Sequence, residues 1–371
     1  MTTRQTLTRP PRASKMHKNK PFSVPQREES TLARGLEGPT ILSMAKKRPD
    51  ENKISLGIDL GGTKIIAALV DRQGRILARD YRETMPADGQ AAVIARMIDA
   101  ACTVMEAGGV NASQVAAVGV AAPGPIDAES GVVTAPPNLP GWKDVPLRRL
   151  MEEDLSVPTW LENDANAAAL GEHRFGAGKG TRHMIYVTAS TGIGGGLILD
   201  GQLYRGATGA AGEIGHITLL PKGPHCGCGN RGCLEALASG KAIAREARER
   251  VSRGVPTLIG DLAEGDLDQI SAKLVAQAAA QGDIPAREII EEAMSYLGLG
   301  MASLVNLFNP ELIVIGGGLT KMGELLFDPV RRIIARTAFR SSAEAVEVVP
   351  AQLGDDVGVL GAAAVAMGAK K

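Results

Sequence analysis

From Lys53 onward the chain alternates short apolar runs with glycine turns, and the runs have the length and β-branched character of strands. Residues 54–59, 65–70 and 76–84 read as three successive strands, the third with partial alternation, joined at Gly61-Gly62 and Gln73-Gly74. Connections that short predict an antiparallel meander. Helical spacing follows over 91–107, then an apolar run at 115–120 that reads as a buried strand. Residues 163–175 read as a strong helix with Asn163 near its N-terminus. A second strand set falls at 184–189, 194–199 and 202–204, with Asp200-Gly201 as a hairpin turn. Helices dominate 239–308, a strand at 312–315 ends in Gly316-Gly317-Gly318, and a helix over 359–369 closes the chain. The layout of meander, helices, meander, helices suggests a duplicated α/β unit with a cleft between its halves, although no repeat is visible residue by residue.

Residues 1–53 lack this periodicity and are rich in Pro, Arg, Lys, Ser and Thr, which predicts a disordered basic extension. A functional tail, a targeting peptide and translated upstream sequence all fit it; Met44, followed by Ala-Lys-Lys-Arg, reads as an alternative start. The extension holds 12 Lys/Arg against 5 Asp/Glu (+7), leaving 29 against 36 (−7) for the rest of a chain of zero net charge. An acidic body is a poor platform for nucleic acid, whose phosphates supply most of the affinity. The longest membrane-like stretch, 302–319, is broken by Asn306, Asn309, Pro310 and Glu311, so no membrane span is expected. Lone Cys102 reads as a small buried residue. With the other thiols clustered, a reducing cytoplasm is expected rather than a disulfide framework.

Those three thiols fall within eight residues, Cys226-Gly-Cys228-Gly-Asn-Arg-Gly-Cys233, ten residues after His216. Cys3His is a ligand set for a closed tetrahedral zinc site, and the flanking glycines suit tight loops around a metal. A purely structural knuckle and unrelated thiols are the other readings. Glu213 and Glu235 bracket the cluster, so a metal there would fix polar groups in place.

Three glycine turns follow strands. Asp59-Leu-Gly61-Gly62-Thr63-Lys64 places a carboxylate, a hydroxyl and a lysine around backbone N–H groups that can face phosphate, with Asp59 suited to a magnesium ion or its water shell. It is not the Walker pattern. Thr191-Gly192-Ile-Gly194 repeats the device in the second half, and Gly316-Gly317-Gly318 suits a flat adenosine against backbone. Ligand-free turns are the alternative for each. Asp164, at a strand-to-helix junction, reads by position first as a helix cap and second as a rigid general base.

Seven motifs in register, Asp59–Lys64, Ala122–Asp127, Pro137–Trp142, Glu162–Asn166, Thr191–Gly196, Glu213–His216 and Cys226–Cys233, resemble the ROK family of repressors and sugar kinases, most of all its bacterial glucokinases. The resemblance implies an actin-like, hexokinase-like (ribonuclease H-like) α/β fold, with one domain from 54–165 plus 355–371 and a zinc-bearing one from 166–354. It implies ATP-dependent phosphorylation of the 6-hydroxyl of glucose, with Asp164 as base, which reverses the cap reading. It assigns sugar contacts to Gly124, Asn138, Asn163, Glu213, His216 and Glu235, and zinc to His216, Cys226, Cys228 and Cys233. Other hexoses or N-acetylhexosamines, and polyphosphate as donor, stay open. ROK repressors carry a DNA-binding module ahead of the same body, for which residues 1–53 are too short and proline-rich. ATP, Mg2+ and structural Zn2+ are the implied cofactors, and a homodimer or homotetramer the implied assembly.

Overall fold

The computed structural model describes residues 54–368; the expected basic extension and the end of the expected last helix lie outside the described residues. Two five-stranded sheets organise the fold. In the first, β1 (Ile54–Leu60), β2 (Lys64–Val70) and β3 (Ile76–Glu83) form an antiparallel meander, and β4 (Val115–Ala122) pairs parallel with β1. After a ribbon of β5 (Ile126–Asp127) and β6 (Val132–Val133), β7 (Thr159–Asn163) pairs parallel with β4. The second sheet repeats the order and the strand senses. Its β8 (Met184–Ala189), β9 (Ile193–Leu199) and β10 (Gln202–Tyr204) form the meander, and β11 (Leu312–Gly316) and β12 (Glu347–Pro350) extend β8 in parallel. The duplication suggested by the pattern of turns is therefore present in topology.

Central strands buried on both faces explain the unbroken apolar runs. In β2, Ile65, Ala67 and Leu69 face α1 (Gln90–Ala107), with α2 (Leu147–Leu155) completing that core. Ile66, Ala68 and Val70 face the opposite way, onto α11 (Val357–Gly368). The second sheet likewise packs Met184, Tyr186 and Val314 on α3 (Asp164–Phe175). Its other face, Ile185, Val187, Ile313 and Ile315, packs on the helical cluster of the second half. That cluster comprises α4 (Leu234–Ala238), α5 (Gly240–Ser252), α6 (Leu258–Leu262), α7 (Ala272–Ala280), α8 (Ile284–Phe308), α9 (Glu324–Thr337) and α10 (Arg340–Ala345).

α3 and α11 thus form a middle layer between the sheets, and glycine sets its thickness. A Cβ on Gly119 of β4 would lie 1.8 Å from the Ala362 carbonyl oxygen of α11, and one on Gly361 would lie 2.2 Å from the Ala167 carbonyl oxygen of α3. Only hydrogen at those positions allows such close backbone approach. The chain crosses from the first sheet to the second through α3 and returns through the segment before α11. Glu172, fully buried, holds both crossings: its carboxylate accepts from Ala177 N–H and Leu353 N–H, each at 2.8 Å.

Several expectations needed correction. Cys102 is exposed, because it lies away from the buried α1 stripe of Val93, Met97, Ala100, Ala101 and Val104. The helix expected from Asn163 starts at Asp164, since Asn163 has extended backbone and caps it. β7 stands where the strand-to-helix junction at Asp164 implied a strand without giving its range, and β12, only 4 residues long, went unread. Among the described residues, no helix is long and apolar enough to cross a membrane.

Candidate active site

The carboxyl ends of β1, β4, β7, β8 and β11 converge on the space between the sheets, where crevices form in α/β folds. A cleft of about 380 Å³ opens there, lined by Asp59 and Lys64 from the β1–β2 turn, Asp164 from α3, Thr188 from β8 and Gly316, Gly317 and Gly318 after β11. Gly317 has φ +88°, and a Cβ there would lie 2.5 Å from the Ala189 carbonyl oxygen, so the turn needs glycine to sit against β8. A second cavity of about 160 Å³ lies on the other side of α3's first turn, lined by Gly124, Asn163, Asp164, Gly194, Gly209–Gly212 and Glu213 among others. Asp164 lines both.

Local structure leaves that carboxylate available. Asn163 does the capping: its Oδ1 accepts from Ala165 N–H at 3.0 Å and Asn166 N–H at 3.4 Å. Its amide nitrogen is left on the side of Gly124, where a Cβ on that glycine would lie 3.1 Å away. Asp164 accepts from Ala165 N–H through Oδ1 at 2.8 Å. Its carboxylate is open to the cleft yet set deep within it, and the loss of surrounding water raises its pKa, with Glu213 adding repulsion against the Ala165 hydrogen bond. Asp59 is pushed up to about 6 by burial, against the pull of Lys64 and with a further push from Asp164. Two neighbouring carboxylates with raised pKa values beside a lysine form an oxygen donor set that a divalent cation suits.

Not every candidate residue reaches these cavities. Gly61 closes the β1–β2 turn through its N–H to the Lys64 carbonyl at 2.8 Å, and Thr84 braces that turn by donating to the Gly61 carbonyl at 2.7 Å. Gly62 packs on Asn138, with Cβ atoms that would lie 3.0 Å apart; Thr63 is exposed outside the cleft lining. Thr191 and Gly192 also lie outside it. Gly192 faces Glu235, whose Oε2 accepts from Ile193 N–H at 2.9 Å, so this turn is braced by the metal-type loop. Sequence reasoning passed over Asp355, Thr320, Lys321 and Gly358 as cleft residues, and Gly209–Gly212 in the small cavity. The run Gly354-Asp-Asp-Val-Gly358 ahead of an apolar helix is the signal that marks Asp355 and Gly358.

The cysteine cluster does assemble. Ligand atoms of His216, Cys226, Cys228 and Cys233 lie within 4.8 Å of one another, with Cys228 Sγ to Cys233 Sγ and Cys226 Sγ to His216 Nδ1 both at 3.7 Å. A tetrahedron with zinc–sulfur bonds of about 2.3 Å has edges of about 3.8 Å, so the geometry fits zinc. The other imidazole nitrogen, Nε2, points to Glu213 Oε2 at 3.9 Å. Glu235 Oε1 lies 3.9 Å from Cys226 Sγ.

Two duplicated sheets with a charged cleft at their strand ends define an actin-like, hexokinase-like protein. The ROK family pattern matches residues 55–369, and the chain belongs to that family. It is 40% identical over 310 residues to a glucokinase of Thermotoga maritima, covering 84% of this chain and 96% of that one. The structure of a Streptomyces griseus ROK family glucokinase in complex with glucose and AMPPNP is similar with a TM-score of 0.71 and 39% identity, covering 84% of this chain and 98% of that one. The xylose repressor of Caldicellulosiruptor bescii is 33% identical over 306 residues, 82% of this chain and 76% of the repressor.

Proposed function

We propose that this chain is an ATP-dependent glucokinase that transfers the γ-phosphoryl group to the 6-hydroxyl of glucose. The observation that carries the reading is Asp164, which lines both cavities and so stands between a glycine-walled cleft for the donor and a smaller pocket for the acceptor. The likeness to glucokinases along nearly their whole length supports it. Asp164 accepts the hydroxyl proton as the sugar oxygen attacks phosphorus, and ADP leaves along the line of attack. The transition state is loose, so alignment contributes more than base strength. Lys64 would face the phosphate chain, and Gly316–Gly318 would lie against the adenosine. Asp59 would hold magnesium or its water shell, and the cation, when bound, offsets phosphate charge. His216, Cys226, Cys228 and Cys233 would hold zinc, which fixes the loop and the imidazole tautomer and takes no part in bond making. With Nδ1 on the metal, Nε2–H stays free to donate toward the acceptor beside Glu213.

Steady-state kinetics over a hexose panel, with ATP and polyphosphate as donors, tests the assignment. The expected outcome is a kcat/KM for glucose with ATP above that for N-acetylated and 2-epimeric sugars. Preference for an acetamido sugar would replace glucose as substrate. Phosphorylation of no sugar, with salt-sensitive binding to a DNA duplex, would favour the repressor branch.

A further inference from the structure

Glu162 is a charge in an unusual place. It sits on β7 with its side chain 2% exposed, beside the active site but outside the lining of either cavity. Its Oε1 accepts from Asn163 N–H at 3.0 Å and from Asn166 Nδ2 at 3.1 Å. Its Oε2 accepts from Arg205 Nε at 2.7 Å. The first two bonds fix the start of α3, which carries Asp164. The third reaches the other sheet, because Arg205 directly follows β10.

Arg205 opens the loop that walls the acceptor cavity and ends in Glu213. That loop has little to hold it. Gly206 and Gly209 have φ +70° and +84°, residues 205–210 are exposed, and its backbone bonds are Ala211 N–H to the Arg205 carbonyl at 3.0 Å and, at its end, Ile214 N–H to the Gly212 carbonyl at 2.7 Å. Glycines that populate both halves of φ space impose no conformation of their own, so the anchor must come from outside the loop. We propose that Glu162 and Arg205 are positioning residues: the buried carboxylate latches the 205–213 loop to the start of α3 and so holds the two walls of the acceptor cavity in register. A pre-ordered wall costs less to close on a ligand, so the latch acts on acceptor affinity rather than on the chemical step.

The inference rests on the kinase reading for its kinetic arm only. Arg205→Gln, Arg205→Lys and the double variant Glu162→Gln/Arg205→Gln are compared with the parent chain by steady-state kinetics and by hydrogen–deuterium exchange of residues 205–213. Arg205→Gln is expected to raise the glucose KM about tenfold, within the range of couplings carried by positioned networks, with kcat and the ATP KM within about twofold. Amides of 206–212 should exchange faster, and Arg205→Lys should restore most of both effects. The double variant guards against misfolding, since it leaves no buried unpaired carboxylate, and it should show the same loosened loop. Unchanged exchange and glucose KM in a folded variant would overturn the latch, as would a uniform loss in kcat and both KM values. Should the parent phosphorylate no hexose, the exchange arm still decides the latch while the kinase reading fails.

Discussion

Two segments lead into and out of the Glu213–His216 turn, and they are restrained by opposite means. Residues 205–211 hang on one ion pair and one backbone hydrogen bond. Residues 216–235 are drawn around four converging ligand atoms, with bridges between Thr218 and Cys233 and between His225 and Arg231 and a bond from Gly232 N–H to the Pro224 carbonyl at 2.8 Å. A metal site writes itself into the sequence, because ligand type and spacing are both constrained. The ion pair writes nothing there: its partners are 43 residues apart and each alone is an ordinary charge. Order on the exit side is therefore expected to follow metal occupancy, and order on the entry side to follow charge pairing.

The largest effect is expected where neither segment is touched. Asp164→Asn should lower kcat about a thousandfold while glucose affinity by calorimetry stays within a few-fold, since general-base loss falls on the transition state. If turnover survives, the base is elsewhere and both segments serve some other chemistry. Next, Cys228→Ser should strip the metal and raise the glucose KM about 10- to 100-fold, with the ATP KM unchanged. Metal analysis paired with kinetics reads this, and lost metal with an unaltered glucose KM would break the contrast between the two segments.

Smaller effects belong to the donor side. Because the folded pKa of Asp59 is raised to about 6, its contribution to stability is present below its unfolded value near 3.8 and is lost as pH rises through 6. Asp59→Asn should accordingly stabilise the ligand-free protein by about 2 kcal/mol at pH 8, a gain that fades toward pH 4. Urea melts across pH give the sign directly; a variant less stable at pH 8 would show that Lys64 outweighs the burial. Last, the raised pKa of Asp164 places the acid limb of the pH–kcat profile above the ordinary carboxylate range, with activity lost as pH falls. An acid limb at or below that range would mean that Asp164 is better solvated in the complex.

Much of this was legible in the chain itself. The meanders, the central buried strands and the Cys3His cluster follow from periodicity and ligand spacing, which are local properties. Glu162 was readable as one residue of a motif but not as a latch. Both glycine turns were expected to face phosphate, yet Asp59, Lys64 and Thr188 enter the cleft while Gly62 rests on Asn138 and Gly192 on Glu235. Which way a turn leans depends on what packs behind it, here α4, and no local signal carries that. Helix capping was misread for a related reason: Asn163 and Asp164 are both good caps, and only the backbone of the preceding strand decides between them.

Glu172 has a mechanical consequence. The covalent chain passes between the sheets twice, and one buried carboxylate grips both passages. Two tethers clamped at a common point leave swinging about that point as the soft motion and make sliding costly, since sliding would tear bonds from a charge without water. Any closure over two substrates is then expected to be a pivot. Displacement grows with distance from Glu172, and spin-label distances taken near it and at the cleft mouth, with and without ligands, measure that gradient.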